Sequence, residues 1–322
     1  MLTPVPPSIG GPMTSGSGDV DLMVRAAWLY YRDGLTQAQV AKRLFVSRQT
    51  VGRLLEAALE QGIVRIEIEP GHMAAMHLAS EARSALRLED AVVVPADAAD
   101  VPFARRNERV AAAAAAYLRR FLHPGVVVGV GWGDTVARVL GMLTEESLDG
   151  VTIASASGWI QQFTESLAAS SVLAKHLKLV PAPMVASSPE AAQMFMKEDA
   201  VRDALSCAEQ AGVTLSSVGS ATPAASAVRS GLVSDDDVAR FAAMGAVGDM
   251  MGEWFDSRGR PLRGATSDRR IGIALERLRS LPNVIVVAAG LDKAEALLAA
   301  IRAGYVKVLV TDEPTVLELL RR

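Results

Sequence analysis

Apolar side chains recur at helical spacing near the start of the chain. Between residues 20 and 31 they stand at Val20, Val24, Ala27, Leu29 and Tyr31. A recurrence every three or four positions predicts an amphipathic helix. The Asp33-Gly34 pair that follows is a typical helix stop, so we expect this first helix to end there.

Two further helices are predicted from capping residues. Thr36 followed by Gln39 is a capping box, which predicts a helix to about Leu44. Ser47 is placed to cap a third helix that ends near Gln61. Two helices joined by a short turn indicate a helix-turn-helix, and the alternation in residues 63–68 predicts a strand of a small β-wing.

The charges in this region favour DNA as its partner. Residues 36–55 contain four basic side chains and no Asp or Glu. The N-terminal end of a recognition helix is presented to base edges, whereas side chains on the preceding helix contact phosphates. The predicted DNA-binding residues are Thr36, Lys42, Arg43, Ser47, Arg48, Gln49, Thr50 and Arg53. A three-helix bundle with a solvated basic face, or a protein-docking module, is the alternative.

The later part of the chain alternates between strand and helix patterns. Strands are predicted at 91–95, 126–130, 151–154, 179–180, 214–218, 284–288 and 306–310. Helices are predicted at 73–88, 107–121, 167–177, 199–210, 235–243, 270–281 and 293–301. This order predicts a parallel sheet flanked by helices, so the loops after the strands are candidate ligand sites.

The segment from Val126 to Leu140 reads as strand, tight turn and helix. Gly129, Gly131 and Gly133 leave backbone N–H groups uncovered beside a helix N-terminus, which suits an anion or hydroxyl groups. The same glycines could serve only close packing. Asp134 occupies the place of the last glycine of a dinucleotide-binding fingerprint, so we expect no nicotinamide cofactor. We expect no other cofactor either.

Composition sets limits on the class of protein. The 322 residues are enough for two domains, and the net charge of −3 gives no general affinity for nucleic acid. The single cysteine, Cys207, excludes an intrachain disulfide and fits a reducing cytosol, and the four scattered histidines predict no metal site. We expect a soluble cytoplasmic protein with a disordered tail at 1–18, a DNA-binding domain at 19–70, a linker helix at 71–90 and an effector domain at 91–322.

Several blocks in order resemble the SorC family (SorC/DeoR type) of sugar-binding transcriptional regulators. They include Ala27-Trp-Leu-Tyr-Tyr31, Val130-Gly-Trp-Gly-Asp-Thr135, Gly245-Ala-Val-Gly-Asp249, Arg270-Ile-Gly-Ile273 and Leu309-Val-Thr-Asp-Glu313. The resemblance implies a winged helix-turn-helix before a phosphosugar-isomerase-like α/β domain of the NagB/RpiA type. It also implies operator DNA, a small carbohydrate effector and a homodimer or homotetramer.

The resemblance also implies effector-binding roles. Gly131, Gly133 and Thr135 would hold a phosphate or terminal hydroxyl, Ser157 and Gly158 would lie beside the sugar, and Asp249 would bind hydroxyls. Arg270 and Lys293 would bind anionic or polar ends. The strand-end loops add Gly219 and Asp134, and the negative charge of Asp134 disfavours a phosphate at close range. An uncharged sugar or polyol and a phosphate ester therefore both stay open.

The predicted function is a transcriptional regulator, a repressor of a carbohydrate catabolic operon, without catalysis. The alternative is a sugar-phosphate isomerase or deaminase with a DNA-binding appendage. In that enzyme Asp249 is a possible general base, but the candidate loops contain no histidine to serve as its partner.

Overall fold

The computed structural model describes residues 17–66, 70–96, 103–161, 170–264 and 266–322. Two compact units divide the chain, Met1–Ile68 and Glu69–Arg322. Residues 1–16, to which the predicted disordered tail mostly belongs, lie outside the described residues. No helix in the described ranges is long and apolar enough to cross a bilayer.

The first unit is a set of helices around one small core. They are α1 Ser17–Ala27, a π-helical turn Trp28–Arg32, α2 Gln37–Leu44 and α3 Arg48–Glu60. The capping box is formed, since the Thr36 N–H donates to Gln39 Oε1 (2.8 Å) and the Gln39 N–H donates to Thr36 Oγ1 (3.3 Å). Ser47 Oγ accepts from the Thr50 N–H at 3.0 Å. The three predicted helices and the helix-turn-helix are confirmed.

Apolar spacing places one face of each helix in that core. Its buried members are Met23, Ala26, Ala27, Val40, Ala41, Val51, Leu55 and Ala58. The turn between α2 and α3 ends α2 with Phe45 in the left-handed region (φ 57°), where its ring is 96% exposed. The predicted strand at 63–68 is wrong for residues 63–66, which are irregular; residues 67 and 68 lie outside the described part. Alternation alone does not make a strand without a partner that takes its hydrogen bonds.

The second unit contains a seven-stranded sheet and a three-stranded sheet. Its strands are β1 Asp90–Val94, β2 Val127–Val130, β3 Thr152–Trp159, β4 Leu177–Pro183, β5 Val213–Ser216, β6 Gly219–Ser220, β7 Ala246–Met250, β8 Glu253–Asp256, β9 Val284–Val287 and β10 Val308–Asp312. Its helices are α4 Pro70–Ala85, α5 Phe103–Leu118, α6 Asp134–Gly141, α7 Ser171–Ala174, α8 Pro189–Phe195, α9 Asp199–Glu209, α10 Ser226–Arg229, α11 Asp235–Ala243, α12 Ala294–Arg302 and α13 Glu313–Arg321.

The larger sheet has the order β1-β10-β9-β5-β2-β3-β4, and every neighbouring pair is parallel. Successive residues of β9 point to opposite faces. Val284 and Val286 pack in a core with α4, α9, α12 and α13, whereas Ile285 and Val287 pack in a second core with α5 and α6. The predicted parallel sheet with helices on both faces is confirmed.

Helix α4, expected as a linker, packs on the sheet of the second unit. Ala75 and Ala82 are buried, at 3% and 0% exposure, in the same core as Val284. Leu88 continues that apolar contact at the start of β1. Residues 70–88 are therefore part of the second unit rather than a free connection.

In the second unit one strand was not predicted and two expected helices are wrong. Ala246–Met250, for which no strand was predicted, form β7 in an antiparallel sheet with β6 and β8. The helix expected at 270–281 is an extended segment that bridges Val185 and Ser157, followed by a 3₁₀ turn at Leu275–Arg279, because Ile271 and Ile273 are buried there. The helix expected at 167–177 is limited to Ser171–Ala174 in the described residues, and Leu177 opens β4.

Candidate DNA-binding surface and effector cleft

The basic side chains of the helix-turn-helix are exposed to solvent. Lys42 and Arg43 lie in the last turn of α2, and Arg48 and Arg53 lie on α3. Within the described residues none of the four has a carboxylate at ion-pair distance. Four exposed positive charges without acidic partners make a surface suited to a polyanion.

Two of the hydroxyl side chains predicted to contact DNA also cap the N-termini of α2 and α3. Thr36 caps α2, and Ser47 caps α3 with its Oγ 2.8 Å from Thr50 Oγ1. Gln49 is exposed beside Arg48 and Arg53. Sequence reasoning missed Gly52, which lies between Gln49 and Arg53 on the same face of α3 and has no atom within 4 Å of its missing β-carbon.

A cleft of about 240 Å³ lies at the carboxyl ends of β2, β5 and β9. This is where open parallel sheets bind ligands. Its lining is mostly polar or small: Asn107, Asp134, Thr135, Ser220, Ala224, Ala225, Ser226, Arg229, Asp292 and Lys293. Three of the predicted effector residues, Asp134, Thr135 and Lys293, come together here.

A second, much smaller cavity of about 20 Å³ adjoins the cleft, since Ser226 lines both. Three more predicted residues, Gly133, Gly219 and Asp249, lie in its wall. Its volume accommodates about one water molecule. The two cavities together collect six of the ten effector residues predicted from the sequence.

An ordered chain of hydrogen bonds forms one wall of the cleft. Thr135 Oγ1 donates to Asn107 Oδ1 at 2.8 Å, and Asn107 Nδ2 donates to Asp134 Oδ2 at 2.8 Å. Arg138 Nε also donates to Asp134 Oδ2, at 3.0 Å. The negative charge of Asp134 is therefore partly balanced. Asn107 was missed as a site residue, because it stands between charged residues of α5 (Arg105, Arg106, Glu108 and Arg109) and nothing in the sequence distinguishes it from a solvated polar position.

The start of α6 contributes backbone donors to the same wall. Its N-cap is Gly133, which supplies no side chain to accept the first N–H groups of the helix. A β-carbon at position 133 would come 2.4 Å from Ser217 Oγ, so a larger residue here would displace the Ser217 hydroxyl group. The uncapped N–H groups give this end of the cleft a partial positive charge.

Lys293 is half-buried at the first turn before α12 and lines the cleft. Burial lowers the pKa of its ammonium group, and the nearby carboxylate of Asp292 opposes that shift. Among the described residues no carboxylate lies within ion-pair distance of Nζ. The Asp292 carboxylate is instead hydrogen-bonded to Ser220, whose Oγ donates to Asp292 Oδ2 at 3.0 Å. The ammonium group is thus left available to a ligand.

Asp249 lies on β7, opposite Gly219 on β6. Its Oδ2 accepts from the Gly252 N–H at 3.2 Å, which fixes the carboxylate over the turn between β7 and β8. Burial raises the pKa of Asp249 to about 6, against the opposing effects of that hydrogen bond, Lys293 and Arg270. This carboxylate therefore changes charge near neutral pH.

The described contacts of Arg270 are with Glu253 and with two backbone carbonyls, away from both cavities. Its Nη1 lies 3.2 Å from Glu253 Oε2, Nε donates to the Met251 carbonyl at 2.9 Å, and Nη2 donates to the Ile273 carbonyl at 2.6 Å. It lines neither cavity and is 9% exposed. This geometry ties the 270–273 segment to the β7–β8 turn that carries Asp249.

Gly131, Ser157 and Gly158 also lie outside the two cavities. The Gly131 N–H donates to the Leu215 carbonyl at 2.9 Å, and the Gly158 N–H donates to the Ile271 carbonyl at 2.9 Å. Ser157 is fully buried, and its Oγ has no hydrogen-bond partner in the described part of the chain. The described residues contain no cluster of His, Cys, Asp or Glu that could hold a metal ion.

Comparison with known proteins identifies both units. The family model "Putative sugar-binding domain" matches residues 72–321, and a MarR family model matches residues 26–72. Transcriptional regulator LsrR from Klebsiella pneumoniae subsp. pneumoniae is 33% identical over 303 residues, 92% of this chain and 91% of that protein. LsrR from Escherichia coli strain K12 is 32% identical over 327 residues, 95% of this chain and 96% of that protein.

Solved structures agree with the sequence relatives. The full-length sorbitol operon regulator SorC from Klebsiella pneumoniae superposes with a TM-score of 0.70 at 26% identity, covering 95% of this chain and 100% of that one. A DeoR family regulator from Listeria monocytogenes has the same fold, with a TM-score of 0.68 at 22% identity, covering 76% and 99%. The chain belongs to the SorC-type family of transcriptional regulators, in which a helix-turn-helix unit precedes a sugar-binding domain.

Proposed function

We propose that this protein is a repressor of a carbohydrate catabolic operon, released or retained on its operator by a small effector bound in the second unit. The effector is a sugar, a polyol or a phosphate ester of one. LsrR is named as a transcriptional regulator and SorC as a sorbitol operon regulator, and both support this class of function. The protein acts in the cytoplasm as a homodimer or homotetramer.

The operator contacts follow from the exposed face of α3. Arg48, Gln49 and Arg53 read base edges in the major groove, and Gly52 between them lets the helix approach closely. Lys42 and Arg43 bind phosphates. Thr36, Ser47 and Thr50 position the two helices through their caps and add hydroxyl contacts to the backbone.

The effector is held at the carboxyl ends of the strands. The observation that carries this proposal is the half-buried Lys293, which lines a polar cleft without an ion-pair partner among the described residues. Lys293 and the N–H groups at the start of α6 bind the most electron-rich end of the effector. Thr135, Asp134 and Asp249 bind its hydroxyl groups. Arg270 has a supporting role, holding the turn beneath Asp249.

Regulation requires that the effector bind more tightly to one arrangement of the regulator than to another. The enzymatic alternative is less well supported, because the named relatives are transcriptional regulators. It also needs a general base and a second proton-transfer group around the same substrate carbon. We therefore assign no catalytic residue.

Fluorescence anisotropy of labelled upstream DNA tests the proposal at fixed salt, because phosphate contacts make affinity salt-dependent. Replacing Arg48 and Arg53 together with Ala should weaken operator binding by at least about 25-fold, since each base contact is worth roughly 1–3 kcal/mol. Arg258→Ala, an exposed arginine of the second unit, is the matched control. Operator affinity that survives the double substitution contradicts the assignment.

The effector is sought by titrating the protein–DNA complex with hexoses, hexitols and their monophosphates. A shift in operator affinity caused by one compound supports the sensor role, and the charge of that compound distinguishes a free sugar from a phosphate ester. Turnover of a sugar phosphate by the purified protein, with no effect on DNA binding, would support the enzymatic alternative instead.

A further inference from the structure

A row of exposed apolar side chains runs along α1 and the π-helical turn that follows it. Val20, Val24, Trp28 and Tyr31 are 47%, 42%, 59% and 43% exposed, although they alternate along the chain with Met23, Ala26 and Ala27, which are buried. A spacing of four, four and three residues keeps the exposed set on one side of a helix. We call these four residues the α1 stripe. Apolar side chains grouped in this way mark an interaction surface rather than ordinary surface scatter.

The charges around the α1 stripe are arranged with opposite signs at its two ends. Asp21 lies at the start of the stripe and Arg32 at its end, both exposed. If two copies of the helix pack antiparallel about a two-fold axis, the start of one meets the end of the other. Asp21 of one copy then faces Arg32 of the other on both sides of the axis, while the stripe covers itself. The surface is therefore complementary to its own copy.

We propose that the α1 stripe is the contact between the helix-turn-helix units of two copies of this chain, paired antiparallel. The axis passes between Val24 and Trp28, midway along the stripe. The contact also sets the separation of the two α3 helices, and therefore the half-site spacing of the operator. That consequence depends on the proposed function, whereas the contact between copies does not.

Cross-linking of the full-length protein in the absence of DNA tests the contact. In a Cys207→Ser background, Val24→Cys places one thiol near the axis, and Leu59→Cys places one on the exposed side of α3 as the matched control. A bismaleimide with a short spacer should link Val24→Cys into covalent dimers and leave Leu59→Cys monomeric. A monofunctional maleimide measures whether each thiol is accessible.

Charge reversal tests the antiparallel orientation. Asp21→Arg or Arg32→Asp alone should strongly reduce cross-linking of Val24→Cys, because each places like charges opposite one another, and the double variant should restore it. Circular dichroism checks that α1 stays helical in each variant, since Asp21 also pairs with Arg25 at 3.0 Å. If the yield of cross-linked dimer is the same in all of these variants, the antiparallel arrangement is wrong.

Two results of the cross-linking overturn the whole proposal. One is a Val24→Cys thiol that reacts freely with the monofunctional reagent and gives no dimer. The other is a thiol protected from that reagent without forming dimers, which indicates that another segment covers the stripe. Because neither measurement uses DNA or an effector, failure here is distinct from failure of the proposed regulatory function.

Discussion

The carboxylate of Asp249 lies directly against the α-carbon of Gly219, so that a β-carbon at position 219 would come within 2.1 Å of Asp249 Oδ1. The two residues face one another in the β6–β7 pair. Because β7 holds its backbone in the sheet, the side chain of Asp249 is the part that must move when residue 219 is enlarged. Gly219 thus determines where the proposed hydroxyl-binding carboxylate is placed.

Gly219→Ala should displace the Asp249 carboxylate, lowering the free energy of unfolding by roughly 1–3 kcal/mol and weakening effector binding. Urea denaturation and effector titration measure the two effects. Gly141→Ala is the control, because nothing lies within 4 Å of its missing β-carbon and it lies at the end of a helix. Unchanged effector affinity in Gly219→Ala would show that Asp249 does not contact the effector.

Stability should depend on the charge of Asp249 between pH 4 and pH 6. Its pKa in the folded state, about 6, lies above the ordinary value of 3.8, so the folded state binds more protons than the unfolded state in this window. Its contribution to the free energy of unfolding therefore falls as pH rises through the window, and the penalty persists above pH 6. Asp249→Asn removes the penalty.

We expect Asp249→Asn to be more stable than the parent protein at pH 7.5, with an advantage that shrinks by roughly 1 kcal/mol at pH 5. Urea titrations at the two pH values measure it. Asp268→Asn, an exposed aspartate of the same unit, is the control. An advantage that does not change with pH would mean that Asp249 titrates elsewhere.

Lys293→Met should abolish the response to effector while leaving operator affinity without effector unchanged. Methionine keeps most of the length and apolar contacts of the lysine but removes the ammonium group. Since burial already disfavours the charged form of Lys293, we expect no loss of thermal stability. Lys307→Met, which removes an ammonium 3.8 Å from Glu89 Oε1, is the matched control. A normal effector response in Lys293→Met would exclude the proposed anchor.

Phe45→Gly should raise the free energy of unfolding of the first unit by roughly 1 kcal/mol. The left-handed conformation costs a residue with a β-carbon about that much, and the exposed ring contributes little packing to offset it. Phe45→Leu is the control, since it keeps the β-carbon in the same backbone conformation and should show no gain. Urea denaturation followed by circular dichroism measures both variants.

The sequence was most informative where one short segment contains its own signals. Thr36 and Gln39 specify the start of α2 through two hydrogen bonds three residues apart, and Ser47 does the same for α3. The strands around Val128 and Ile285 were predictable because both faces of a central parallel strand are buried, which leaves a continuous apolar run.

The parts that were missed depend on contacts between distant segments. Asp249 lies in a strand whose backbone pairs with Gly219 of β6, a residue distant in sequence. The segment around it contains two glycines and an aspartate and has little strand propensity of its own, so the strand was not predicted. The contacts of Arg270 with Glu253 and two backbone carbonyls were likewise not predictable, and its expected role at an anionic or polar end of the effector stays a prediction. Asn107 joined the cleft only because α5 packs beside the start of α6.

The place of β10 in the larger sheet has a consequence for synthesis of the chain. Among the described strands, β1 (Asp90–Val94) pairs with β10 (Val308–Asp312), which also pairs with β9. Until β10 has left the ribosome, β1 and one edge of β9, both rich in valine, stay without this partner and are open to pairing with other nascent chains. Translation that stops before Val308 therefore yields an aggregation-prone product rather than a smaller regulator.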